Sequence, residues 1–198
     1  MKSQGAWLGV AGVLFGVLVG WILGSQQAAP VVSTSGMGAP EPAPSSSPAA
    51  PLDLQRAADL ERQANARPAD AAVRADLGNL YFDAQRFDLA IPWYQAALKI
   101  NNRDVNVSTD LAVSLFSTND VERALKQIDH SLSIDPRHAK TLLNQGIIRA
   151  WGKQDLAGAA TSWEQVVAVA PTSPEGTQAR QFLDGLKTAH KTVSGKRP

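Results

Sequence analysis

Three regimes of hydrophobic and polar positions follow one another along the chain. Residues 5–24 are almost continuously apolar and carry no charge, with "GVLFGVLVGWILG" at residues 12–24. Residues 25–51, "SQQAAPVVSTSGMGAPEPAPSSSPAAP", show no apolar period and a single charge, Glu41. From Leu52 onward charged residues interleave with Leu, Ala, Val and Ile at the spacing of amphipathic helices. The pattern predicts an uncharged helix, a linker and an all-α domain. Its boundaries are a 1–4 tip, a 5–24 transmembrane helix, a disordered 25–51 linker, a 52–68 capping helix, a 69–172 repeat body, a 173–188 capping helix and a 189–198 basic tail.

At about 1.5 Å per residue the first regime spans about 30 Å, the thickness of a bilayer's hydrocarbon core. Trp7 and Trp21 stand near its two ends, where amphipathic rings favour the headgroup level. A cleaved signal peptide would also begin with a basic residue, here Lys2, but the apolar run is longer than a usual signal core. The following "GSQQAAP" also lacks a good small-x-small cleavage site. The chain has no cysteine, so a lipoprotein signal is excluded. Lys2 and the amino terminus carry the only charges before Glu41, which favours a cytoplasmic N-terminus and an extracytoplasmic, in a bacterium periplasmic, domain. Gly12, Gly16, Gly20 and Gly24 fall on one helix face and leave a shallow groove for a second backbone. Self-association, pairing with another membrane protein, or a featureless narrow span are the three readings of that ridge.

The linker cannot bury enough apolar surface to offset chain ordering, and its prolines favour extended conformations. It reads as a spacer of roughly 30 to 80 Å.

The helical domain repeats itself. Ala90, Ala124 and Ala159 fall 34 and 35 residues apart. Tyr94, Ile128 and Trp163 follow them by four residues, and Asn102, Pro136 and Pro171 by twelve. Small residues let two antiparallel helices approach, and the large ones fill the space between successive pairs. Asn119 with Glu122 predicts an N-cap and capping-box partner; Pro92 falls inside a predicted helix and should distort it. Pro174 after Ser173 marks the first position of a closing helix, whose Phe182, Leu183 and Leu186 cover the last pair. Eight helices are expected in the domain.

These residues resemble the tetratricopeptide repeat (TPR) family, whose pattern is W-x2-L-G-x2-Y, A-x3-F and P over 34 residues. Leu77-Gly78, Tyr81, Ala90 and Tyr94 match in the first repeat. Leu111, Ala124, Ile128 and Pro136 match in the second, and Gly146, Ala159, Trp163 and Pro171 in the third. The third repeat carries one inserted residue and Arg149 where an aromatic is usual. The resemblance implies an all-α helical-hairpin solenoid of about three repeats plus capping helices, with a concave groove lined by the first helix of each repeat. It further implies that a peptide would meet Asn79 and Phe82 from the first repeat, and Asn106, Thr109, Val113 and Phe116 from the second. From the third it would meet Lys140, Leu143, Asn144, Ile147 and Trp151. One subclass grips the C-terminal carboxylate of chaperone tails; Ala75 stands where that clamp needs lysine and Asp110 where it needs asparagine, which argues against membership. In layout the chain is also similar to the membrane-anchored repeat proteins of bacterial cytochrome c maturation.

Charge and chemistry narrow the function further. With 19 Lys and Arg against 18 Asp and Glu, the chain has no basic footprint for nucleic acid. His130, His138 and His190 have no second ligand at metal spacing, and Asp59 with Glu61 or Asp120 with Glu122 point to different helix faces. No catalytic residue, metal or cofactor is expected. The sequence reads as a membrane-anchored scaffold for a protein or peptide partner, or as a structural subunit assembled through the glycine ridge.

Overall fold

The computed structural model describes residues 50–194, with side chains through residue 188. The tip, the 5–24 helix with Gly12, Gly16, Gly20 and Gly24, and nearly all of the linker lie outside the described residues. Among the described residues there are eight helices and no strand. They are α1 (Leu54–Ala66), α2 (Ala71–Asp83), α3 (Phe87–Ile100), α4 (Val105–Ser117), α5 (Val121–Ile134), α6 (Ala139–Ile147), α7 (Leu156–Val169) and α8 (Pro174–Ser194). Among them no helix is long and apolar enough to cross a membrane.

Aspartates start most of these helices. Asp53, Asp70, Asp104, Asp120 and Asp155 each accept a hydrogen bond from a backbone N–H of the first turn of α1, α2, α4, α5 and α7. Each satisfies a donor that the helix itself leaves unpaired, a contribution of about 1 kcal/mol. Ser173 does the same for α8, accepting from the Gly176 N–H at 3.1 Å, with Pro174 in the first helical position. That helix runs to Ser194, beyond the expected end at residue 188. Pro92 is exposed and α3 continues through it, so the proline does not end the helix.

The turn inside each hairpin is a left-handed residue at the same phase of the repeat: Gln85 (φ 56°), Asn119 (φ 65°) and Gln154 (φ 57°). Asn119 is therefore not the N-cap that its spacing to Glu122 suggested. Its neighbour Asp120 caps α5, because the close of α4 requires a left-handed residue at position 119. In the first hairpin the Arg86 N–H reaches back to the Tyr81 carbonyl and the Gln85 N–H to Phe82. In the second, Asp120 reaches Leu115 and Asn119 reaches Phe116. Both are Schellman closures with a non-glycine residue in the left-handed position.

The third hairpin closes differently. Residues Ile148–Gly152 form a π-helical turn continuous with α6, and the Asp155 N–H reaches back to Arg149, one residue further than in the other hairpins. The residue that makes the third period 35 is absorbed here.

Hairpins are held by matched sizes. A Cβ on Gly78 would come within 2.5 Å of the Tyr94 ring, and one on Gly146 would overlap the Trp163 indole nitrogen. In the second hairpin the glycine position is Ala112 and the ring position is Ile128, both fully buried. The smaller side chain across the interface leaves room for a methyl group. Tyr94 and Trp163 also satisfy their polar atoms, Tyr94 by donating to Asn79 Oδ1 at 2.9 Å and Trp163 by donating to the Leu143 carbonyl at 3.3 Å.

The ends are closed by α1 and α8. The Arg74 guanidinium donates to the carbonyls of Ala64, Arg67 and Asp70, tying the open end of α1 to α2. At the other end Phe182 of α8 stacks on Trp163 at 4.7 Å and meets Trp151 at 5.6 Å.

Candidate peptide-binding groove

Helices α2, α4 and α6 open successive hairpins, and their order in the stack sets which side chains are shared between repeats. Between α4 and α6 runs a directed hydrogen-bond chain. Thr109 Oγ1 donates to the Val105 carbonyl at 2.7 Å, so Thr141 must donate across the 2.6 Å contact to Thr109. His138 Nδ1, 2.7 Å from Thr141 Oγ1, must then carry a proton and donate in turn. This fixes the start of α6 against the start of α4. Burial holds the His138 pKa below its ordinary value, with Lys140 adding to the effect and Asp135, Asp110 and Glu175 opposing it.

The residues expected to line the groove separate by exposure. Phe82, Thr109, Val113, Leu143, Asn144 and Ile147 are buried. Phe82 packs edge-on against Phe87 at 5.3 Å and Tyr94 at 6.3 Å, inside the first hairpin. The amide of Asn144 turns back to donate to the Lys140 carbonyl. These six are buried against neighbouring helices in the folded chain.

Asn79 and Asn106 are exposed, while Phe116, Lys140 and Trp151 are half-buried. The Tyr94 hydroxyl holds Asn79 by its carbonyl oxygen, which turns the amide nitrogen, a donor, the other way. Phe116 lies beside the π turn, where a Cβ on Gly152 would come 3.2 Å from its ring. Trp151 rests on Trp163 at 5.9 Å and on Phe182.

Asp83 is absent from the expected groove positions, and Asp110 enters them only as the mismatch to asparagine at the clamp position. Lys140 Nζ stands 2.6 Å from Asp110 Oδ1, an ion pair at contact distance. No other described group donates to Oδ1. Burial raises the Asp110 pKa above the usual carboxylate range, with Lys140 opposing and Asp104 reinforcing. Asp83, at the end of α2, is raised by burial and then by the Asp110 charge, with Arg56 and Lys140 opposing. A signal existed: Asp110 sits one residue before Leu111 on a helix whose neighbour supplies Lys140. Its effect on Asp83 comes from a different repeat and is visible only in the folded chain.

Two family models, both described as tetratricopeptide repeat, match residues 52–105 and 81–146. The chain carries tetratricopeptide repeats. The TPR region is 25% identical over 136 residues to Hsp70-Hsp90 organizing protein 3 of Arabidopsis thaliana, covering 69% of this chain and 23% of that protein. The chain thus spans about a quarter of the length of that curated relative. Among solved structures, the second TPR domain of human RPAP3 in complex with the HSP70 peptide SGPTIEEVD superposes with a TM-score of 0.52 at 20% identity, covering 60% of this chain and 98% of that one. The first TPR of Spaghetti (RPAP3) bound to the HSP90 peptide SRMEEVD superposes with a TM-score of 0.53 at 23% identity, covering 59% and 95%. At these identities the likeness is one of fold. Both of those neighbouring structures hold a peptide.

Proposed function

We propose that this protein is a membrane-anchored TPR adaptor that holds a segment of a protein partner along the inner face of α2, α4 and α6. The observation that carries this reading is the presence of exposed amides on successive inner helices, Asn79 and Asn106, beside half-buried Lys140 and Trp151. Exposed amides of this kind pair with the backbone of an extended peptide, and a part-open aromatic supplies a desolvated contact. The uncharged 5–24 segment supplies the anchor, and the 25–51 linker displays the domain away from the bilayer, on the extracytoplasmic side. A recruiting or chaperoning role for a membrane or periplasmic complex follows from that placement.

Cross-linking in native membranes followed by mass spectrometry identifies the partner. Asn79→Asp, which keeps an acceptor for the buried Tyr94 hydroxyl but removes the amide donor, together with Asn106→Ala should then abolish capture while the domain stays folded. If capture survives that pair, and Gly16→Leu with Gly20→Leu alone disperses the assembly, the protein is instead a structural subunit joined through its glycine ridge.

A further inference from the structure

Successive repeats carry side chains of different size at one position of the stack. Ala75, Thr109 and Leu143 follow one another at intervals of 34 residues, each on the first helix of its repeat. In the second repeat the space beside this position is filled: Thr109 and Thr141 are fully buried and meet at 2.6 Å. One repeat earlier the same two positions are Ala75 and Val107, which form no such bond. A cavity of about 220 Å³ stands there instead, walled by Ala71, Ala72 and Ala75 of α2, Ala97 of α3 and Val107 of α4.

Size and lining narrow what this cavity can take. Sites for whole small molecules start at about 300 Å³, whereas an apolar cavity of about 150 Å³ already holds benzene. The space therefore suits one bulky side chain. Its two polar wall residues have oxygens engaged by backbone: Asp104 accepts from the Asn106 and Val107 N–H groups at 3.1 Å, and Asn101 from the Arg103 N–H at 3.3 Å. An aliphatic group enters without breaking these bonds, whereas a carboxylate would lose its water and meet Asp104. The cavity is also continuous with the groove positions. Ala72, Ala75 and Asn79 recur at helical spacing on one face of α2, and Asn106 precedes Val107 on α4.

Resting on the groove reading, we propose that this cavity is a specificity pocket: it receives one bulky aliphatic side chain, of leucine, isoleucine or methionine type, from the partner segment whose backbone Asn79 and Asn106 hold. The second and third repeats offer no equivalent, because Thr109 and Leu143 occupy that position from within the chain.

The test uses the full chain in lipid nanodiscs with isotope-labelled alanine methyl groups, which place NMR reporters on the cavity wall. N-acetyl-leucinamide should shift the methyl signals of Ala72, Ala75 and Ala97 and bind about tenfold more tightly than N-acetyl-serinamide or N-acetyl-lysinamide. Ala75→Leu fills the cavity from the chain itself and should abolish those shifts without lowering the unfolding temperature; Ala72→Leu is a second filling, from the rim. Either filled variant should also weaken capture of the cross-linked partner by about tenfold. No shift with the leucine probe, a preference for the lysine probe, or undiminished capture by a folded filled variant overturns the pocket assignment, and the groove reading stands as long as capture still needs Asn79 and Asn106. Capture that needs neither the cavity nor those two amides overturns both.

Discussion

The first and third hairpins solve one packing problem with different backbones. Both place a glycine against a large ring, Gly78 against Tyr94 and Gly146 against Trp163. Both end their first helix on a left-handed glutamine, Gln85 or Gln154. Between those fixed points the first hairpin is regular α-helix, whereas the third contains one more residue and spends it in the π turn Ile148–Gly152. Counted back from the left-handed residue, Phe82, Phe116 and Trp151 all stand three positions earlier. Counted forward from the glycine-position residue, Phe82 and Phe116 stand four later and Trp151 five later. The π turn therefore keeps the aromatic in phase with the turn. It also resolves the anomaly at Arg149. The residue that matches Tyr81 and Leu115, counted from the turn, is Ala150, which is buried. Arg149 instead directs its guanidinium to the Gly158 carbonyl and Ser162 Oγ of α7.

Removing one residue from each hairpin breaks this comparison most sharply. Deletion of Leu80 from α2 rotates one side of the first hairpin by about 100° relative to the other, so either Leu77 and Gly78 or Tyr81 and Phe82 lose their packing. The expected cost exceeds about 4 kcal/mol, the range reserved for loss of a core. Deletion of Arg149 leaves Trp151 three positions before Gln154 and returns the period to 34. It forfeits the two Arg149 hydrogen bonds, and the expected cost is about 2 kcal/mol. Chemical denaturation of the two full-length deletion variants decides; equal losses would mean that the π turn is required rather than accommodated.

Overpacking ranks second. Gly146→Ala drives a methyl into the fully buried indole of Trp163 and should cost about 3 kcal/mol, at the upper end for an added methyl group. Gly78→Ala meets the ring face of Tyr94 less closely and should cost about 2 kcal/mol. The second hairpin says how to rescue them. With Trp163→Ile added, the third hairpin acquires the Ala112 and Ile128 arrangement, and Gly146→Ala should then cost at least about 1 kcal/mol less than in the Trp163 background. Denaturant midpoints of the four members of that cycle are the measurement.

These pairs also show how far the sequence could be read. The 34-residue recurrence of Ala90, Ala124 and Ala159 disclosed the hairpins, their number and the end caps, because close approach of helices demands small residues at fixed phase. Asn119 was assigned to the wrong side of its turn, since its side chain suits both an N-cap and a left-handed position and only the closure of α4 decides between them. The insertion was visible as a 35-residue period, but its place was not, because the matching residue can be counted from either end of α6. The groove was the least legible part. The repeat pattern says which positions face inward, yet whether Leu143 or Ile147 ends up open or covered depends on neighbouring helices that the pattern does not specify. The Asp110 charge reaches Asp83 from a different repeat, and no spacing within one repeat contains that information.

Helix starts give a weaker comparison between the same regions. Removing a cap should cost about 1 kcal/mol at Asp70 of the first hairpin, where the carboxylate accepts from Ala72 and Val73, as seen by thermal unfolding of Asp70→Ala. The equivalent position before α6 is His138, whose side chain makes no cap hydrogen bond and is instead tied to Thr141. His138→Ala should therefore leave the helix start intact and loosen α6 from α4, with a loss smaller than that of Asp70→Ala.

The smallest effect is one of pH, and it also separates the two hairpins. Burial lowers the His138 pKa in the folded chain, whereas the unfolded chain titrates near 6.5. Between the lowered value and 6.5 the unfolded state binds more protons than the folded one, so stability rises with pH across that window. The contribution is complete above the unfolded pKa and is lost as pH falls to the folded one; below both it stays lost. Asp135, Asp110 and Glu175 limit the lowering, which keeps the effect modest. Denaturant unfolding at pH 7.5 and pH 5.0 should show wild type losing more stability on acidification than His138→Gln, whose side chain carries no titrating proton. Asp110 acts with the opposite sign in its own window. Its raised pKa makes the folded state the stronger proton binder above the ordinary carboxylate value, so that group favours folding at the acid side and loses that contribution as pH climbs through the raised value. The double variant His138→Gln with Asp110→Asn should therefore have the flattest profile of the four in this region, and a wild-type profile already flat between pH 5.0 and 7.5 with the single variants unchanged would show that neither group couples α4 to α6.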